Sequence, residues 1–114
     1  MRFSKTDNIY KVIRITGSQD NILGVTFAEK HRTDHHIEII EWDFPNLAKG
    51  KIRSLKERVL EQVLSGLKSV NAALGTNYQL SKIYFTPFDS SRNDVYSALI
   101  SFLIRHYHNG EEFI

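Results

Sequence analysis

The stretch Ser54–Gly75, SLKERVLEQVLSGLKSVNAALG, decides the fold. Val59, Leu60, Val63, Leu64, Leu67, Val70 and Leu74 recur at spacings of three and four. That period gathers them into one apolar stripe on an α-helix. Ser54 and Glu57 have the spacing of a capping box, in which the serine oxygen accepts a free helix amide and the glutamate reaches back. Gly75 stands where a left-handed C-terminal cap is expected. The spacing predicts a helix over 54–74. One apolar stripe must be covered by another layer, and the flanking sequence says which kind.

Toward the N-terminus the pattern changes from helical to β-branched. NIYKVIRIT (8–16) carries Ile9, Tyr10, Val12, Ile13 and Ile15. After the turn formers Gly17–Asn21 comes ILGVTFAE (22–29), with Leu23, Val25 and Phe27 on one face by alternation. HHIEIIEWDF (35–44) places Ile37 and Ile39 on one face and Ile40 and Trp42 on the other, as in a strand that is central or packs against something on each side. Three such runs with short polar connections predict an antiparallel meander beginning near Ile9.

Toward the C-terminus, LSKIYFTPF (80–88) reads as a fourth strand, with Pro87 at its end because proline has no amide to donate. Asp89, Ser90 and Ser91 supply helix-start chemistry. Val95, Tyr96, Leu99, Ile100, Phe102, Leu103 and Tyr107 then mark a second helix ending near Asn109–Gly110. Its apolar residues cover more than one stripe, so it is either deeply buried or also faces a partner. The expectation is an α+β fold in one domain, 1–114: a four-stranded, mainly antiparallel or mixed sheet with two helices packed on it, in the order β-β-β-α-β-α. The same order opens the ribonuclease H-like fold, which continues with elements this chain lacks. The comparison concerns element order alone and carries no activity.

The 114 residues suit a single domain, and a chain of this size buries enough surface for one core. Lysine and arginine total 15 against 13 acids, too even a balance to argue for nucleic acid. With no cysteine, disulfides, thiolate nucleophiles and cysteine-bound zinc are all excluded, and a cytoplasmic home is the simplest expectation. No apolar run follows the charges of Met1–Asp7, so no leader is expected, and no uncharged stretch is long enough to span a membrane.

Three segments are candidates for chemistry. KHRTDHH (30–36) gathers His31, Asp34, His35 and His36, residue types that bind first-row metals. Their spacing matches no ligand motif, and a polar hairpin tip accounts for them. RHYHNGEE (105–112) sets His106 and His108 at a helix C-terminus, where the helix dipole favours imidazolium, with Glu111 and Glu112 close behind. TPFDSSRND (86–94) follows a strand and opens a helix. Ser90, Ser91 and Arg92 suit an anion there and Asp89 and Asp94 a cation, while a cap between Ser91 and Asp94 explains the same residues. A basic run, KGKIRSLKER (49–58), surrounds the start of the first helix with Lys51 and Arg53, but no aromatic residues interleave with it. There is no nucleophile elbow and no phosphate-binding loop, so no catalytic residue, metal or cofactor is assigned.

What remains is a sound core with spare aromatics: Trp42, Phe44, Tyr84, Phe85, Phe88 and Tyr107 exceed the needs of one sheet face. The resulting expectation is a small cytoplasmic protein-binding module. Its best-fitting form is a bacterial toxin-neutralising, immunity-type protein that occludes a partner enzyme's active site, steered by charged rim residues. The expected partner-binding residues are His31, Arg32, Asp34, His35, Lys51, Arg53, Asp89 and Arg92. A homodimer is the other use of spare apolar surface. The alternatives are a small metal-dependent nuclease or phosphodiesterase built on the histidine cluster, and a nucleic-acid-binding domain using the basic helix start.

Overall fold

A computed structural model describes residues 1–15, 20–28, 36–42, 54–89 and 91–114 of the chain. The elements are β1 (Arg2–Thr6), β2 (Ile9–Ile15), β3 (Asp20–Phe27), β4 (Glu38–Glu41), α1 (Lys56–Leu74), β5 (Leu80–Phe85) and α2 (Val95–His108), with a short 3-10 turn, Arg92–Asp94, before α2. The strands form one mixed sheet in the order β1-β2-β3-β5-β4. All neighbours are antiparallel except β4 and β5, which run parallel. The fold is α+β with two helices, as the sequence predicts, but the sheet has five strands rather than four.

The additional strand is β1. Its residues, RFSKT, include one large apolar side chain, so no hydrophobic period announces it. It forms by pairing with β2 across a tight turn in which Asp7 takes a positive φ of 55°, a conformation aspartate tolerates better than most residues. The expected meander is also corrected. β3 and β4 are not neighbours, because β5 lies between them and pairs with both. β4 is therefore an edge strand rather than a central one.

Alternation along the strands divides the sheet faces. Val12, Leu23, Val25, Ile83 and Phe85 point to one side and are fully buried. Val59, Val63, Leu67 and Val70 of α1 and Leu99, Ile100, Leu103 and Ile104 of α2 complete that core. Burying an aliphatic side chain contributes about 1.5–3 kcal/mol, so this shared layer is what holds both helices to the same face. A register shift between Thr26 and Phe27 interrupts the β3–β5 ladder. It leaves Thr26 against Ser81, hydroxyl to hydroxyl at 2.5 Å, and directs Phe27 into an aromatic cluster with Tyr10, Tyr78 and Tyr107.

The helix ends are only partly as expected. Gly75 is left-handed (φ 67°), and its amide donates to the Asn71 carbonyl. The Asn71 side chain then holds both backbone groups of Tyr78, each at 3.0 Å, fixing the turn into β5. The capping box at Ser54 does not form. α1 starts at Lys56 without a side-chain cap, and the Ser54 hydroxyl donates instead to the Asp89 carbonyl. Similarly, Ser91 makes no cap with Asp94, which is itself left-handed (φ 51°).

Candidate partner-binding surface

Six of the expected partner-binding residues, His31, Arg32, Asp34, His35, Lys51 and Arg53, lie outside the described residues. Asp89 and Arg92 lie in the connection from β5 to α2. Asp89 is woven into the scaffold there. One carboxylate oxygen accepts the Ile22 amide at 3.1 Å, its own amide donates to the Thr86 carbonyl at 3.2 Å, and its carbonyl accepts from Ser54. Arg92 is exposed on the 3-10 turn. The two residues thus differ in exposure: Asp89 is partly buried and joins three segments, and Arg92 lies at the surface.

Beneath this connection lies a buried polar knot. Gln62 of α1 donates to the Ser91 carbonyl at 2.8 Å and accepts the Tyr96 amide at 3.1 Å, so it satisfies one of the free amides in the first turn of α2 in place of a cap. The hydroxyls of Thr86 and Tyr96 are buried without a hydrogen-bond partner among the described residues. Burial, and then the negative charge of Asp89, push the Tyr96 phenol up to about 12. The nearby polar side chains of Ser54 and Asn21 pull the other way. Tyr96 is consequently a neutral hydroxyl at any physiological pH.

The two histidines near the end of α2 do not form a dyad. Nδ1 of His106 sits 2.8 Å from a carboxylate oxygen of Glu111, whereas Nδ1 of His108 sits 2.8 Å from the Tyr78 hydroxyl. Among the described residues, no cluster of three or more histidine, aspartate or glutamate side chains is placed to hold a metal ion. Among them, too, no helix is long and apolar enough to cross a membrane.

The sheet face turned away from the helices carries the most distinctive chemistry. Strand register aligns Ser4, Lys11, Gly24, Tyr84 and Ile40 across all five strands, with Arg2, Ile13 and Ile22 in the adjacent row. Trp42 follows β4 and continues its ladder, its amide donating to the Phe85 carbonyl at 2.7 Å. Its indole lies over Tyr84 (centroids 5.3 Å apart, 34° between planes), and the Lys11 ammonium sits 5.8 Å from the indole centroid. Gly24 makes room for it: a Cβ there would stand 2.8 Å from an indole carbon. Ile9, Ile13, Ile22, Ile40, Trp42 and Tyr84 are all half-buried, and Arg2, Lys82 and Glu38 are exposed around them. An apolar centre with a mainly basic rim is the arrangement of an interaction patch.

A concavity opens beside the aromatic cluster of Phe27, Tyr78 and Tyr107. A cleft of about 540 Å³ is walled by Phe27, Tyr78 and Tyr107, with Thr76, Asn77 and Gln79 at its polar side. A hollow of about 300 Å³, lined by Ile37, Leu64, Leu67 and Leu80, adjoins it through Ala28, Tyr78 and Gln79.

Sequence reading found the ingredients of the sheet-face patch without their assembly. Ile40 and Trp42 were legible as a second apolar face of their strand, and Tyr84 as a spare aromatic. That they meet over Gly24 depends on β5 lying between β3 and β4. No family model, curated protein or solved structure matches the chain.

Proposed function

We propose that this chain is a protein-binding module and that its contact surface is the sheet face turned away from α1 and α2. One observation carries the reading: Ile13, Ile22, Ile40, Tyr84 and Trp42 form a half-buried apolar and aromatic centre on that face, bordered by Arg2, Lys11 and Lys82. Tryptophan and tyrosine supply large contact area at small entropic cost, which is why they anchor interfaces. The rim holds three cations against Glu38, so the complementary partner surface is apolar at its centre and acidic at its edge. An enzyme that binds a cationic or polar substrate in an acidic cleft offers such a surface. Occluding that cleft is how an immunity-type protein of this build would neutralise a toxin.

The test is isolation of the intact assembly from the native host, followed by native mass spectrometry of the wild type and of Ile22→Glu with Ile40→Glu. Both positions lie on the outer sheet face rather than in the core, and circular dichroism and the melting temperature of the variant are read alongside, so that loss of the fold is distinguished from loss of the contact. The expected result is a stoichiometric second protein with the wild type and none with the variant. The purified partner should then lose its enzymatic activity when one equivalent of the module is added. A partner retained by the variant would move the contact elsewhere, and a homo-oligomer lost in the variant would replace a foreign partner by a second copy.

A further inference from the structure

His106 is held at both ring nitrogens by groups that accept. Nδ1 lies 2.8 Å from a carboxylate oxygen of Glu111, and Nε2 lies 2.7 Å from the backbone carbonyl oxygen of Glu112. A neutral imidazole has one N–H and one lone pair, so either tautomer would set a lone pair against an acceptor. Only the imidazolium serves both partners. Its surroundings suit a cation: the Phe3 ring is stacked 3.8 Å away at 5°, and the ring sits in the last turn of α2, at the negative end of the helix dipole.

The segment that supplies both acceptors is also bound to the edge of the sheet. The Ile114 amide donates to the Phe3 carbonyl at 3.0 Å, and the Lys5 amide donates to the Ile114 carbonyl at 3.3 Å. These two bonds make a parallel bridge beside Ser4 on the outer edge of β1. Between them, Phe113 packs edge-on against Phe3, Tyr10 and His106. We propose that Glu111–Ile114 is a proton-operated clasp on β1, closed by the imidazolium of His106 and loosened when that ring gives up its proton. Opening would uncover the Phe3 carbonyl and the Lys5 amide, the backbone groups through which a sheet edge accepts another strand.

The charged and titratable groups around His106 are few among the described residues. Glu111 contacts it directly, while Glu112 contributes its backbone carbonyl. From β1 comes Lys5, whose ammonium is placed 4.8 Å from the Tyr10 ring centroid. Arg105 and His108 lie on α2 itself, and His108 is engaged with Tyr78. The acid in contact is thus Glu111, and loss of the ring proton leaves its carboxylate without a counter-charge.

Solution NMR of the whole chain between pH 5 and 8 tests the clasp. The His106 ring shift is followed together with the exchange protection of the Ile114 and Lys5 amides, expressed relative to intrinsic exchange. The expected result is one shared midpoint, with protection of these two amides falling roughly three- to tenfold as pH rises while β3 and β5 amides hold theirs. Glu111→Gln, at an exposed position, should weaken the pH dependence of that protection, and His106→Ala should abolish it. Protection that is constant across this range, or that changes with a midpoint the ring does not share, would overturn the proposal. So would a Glu111→Gln variant indistinguishable from the wild type.

Discussion

Gly66 of α1 lies directly against the backbone of Ser97 in α2. A Cβ built on Gly66 would overlap the Ser97 carbonyl oxygen and stand 2.6 Å from the Ile100 Cγ2 and 2.8 Å from the Ser97 Cα. The two helices therefore meet at a distance only glycine allows. In an exposed helix, alanine for glycine stabilises by about 1 kcal/mol. Here the obstacle is backbone, which cannot swing aside. Gly66→Ala should destabilise by roughly 1–3 kcal/mol net, read as a lower urea midpoint. An increase in stability would show that the helix contact is looser than this spacing.

Gln62 gives a second prediction. It is buried and serves two backbone groups, so Gln62→Leu would leave the Tyr96 amide and the Ser91 carbonyl unpaired in the interior. Each orphaned group costs about 1–3 kcal/mol. Chemical denaturation should show a loss of roughly 2–4 kcal/mol, far more than leucine's added hydrophobicity returns. Faster amide exchange at Tyr96 would locate the damage.

Tyr96 should behave in the opposite way. Its hydroxyl is buried without a partner, so Tyr96→Phe should leave stability at pH 7 unchanged or raise it by up to about 1 kcal/mol. The sign at high pH follows from the phenol being pushed up to about 12, above the value near 10 of an unfolded chain. Between those values the folded state keeps a proton the unfolded state has lost. The stabilising contribution is complete below pH 10 and disappears as pH rises through 12, for a total of roughly 2–3 kcal/mol. Unfolding midpoints measured from pH 9 to 12 should therefore fall more steeply in the wild type than in Tyr96→Phe. Parallel slopes would refute the assignment.

Gly24→Ala tests the sheet-face patch. The added methyl meets the Trp42 indole at 2.8 Å and the Ile9 Cγ2 at 3.2 Å. These are side chains, so the indole should be displaced rather than the strand. Trp42 is the one tryptophan in the sequence, and its fluorescence isolates the effect. A red-shifted emission with a stability loss of about 0.5–2 kcal/mol is expected. An unchanged spectrum would mean that the ring does not rest on Gly24.

Which parts of this molecule were legible beforehand follows from how local their causes are. Both helices announce themselves, because a 3.6-residue period is written within the segment that obeys it. Gly75 is likewise a local signal. β1 is not: Phe3 alternates with polar residues, and only pairing with β2 makes the segment a strand. Strand order was illegible for a related reason. Nothing within residues 20–27 or 80–85 states that they pair, since either run would suit several neighbours. Ser54 shows a local rule being outbid, with the Asp89 carbonyl, 35 residues away, taking the hydroxyl that a capping box would use. The same non-locality hides the candidate surface, whose residues come from all five strands and the residue after β4.

The pairing of β3 with β5 also has a temporal consequence. It joins residues near 23 to residues near 85, so the centre of the sheet closes only after a long loop has been ordered. Such contacts slow folding, because chain entropy is lost before the contact repays it. During synthesis, the hairpins of β1, β2 and β3 leave the ribosome first, with Val12, Leu23 and Val25 uncovered until α1 and α2 follow. For most of its emergence the nascent chain is a sticky three-stranded ribbon awaiting its lid of helices. Slowing elongation late in the message should therefore favour aggregation, whereas slowing it early should do little.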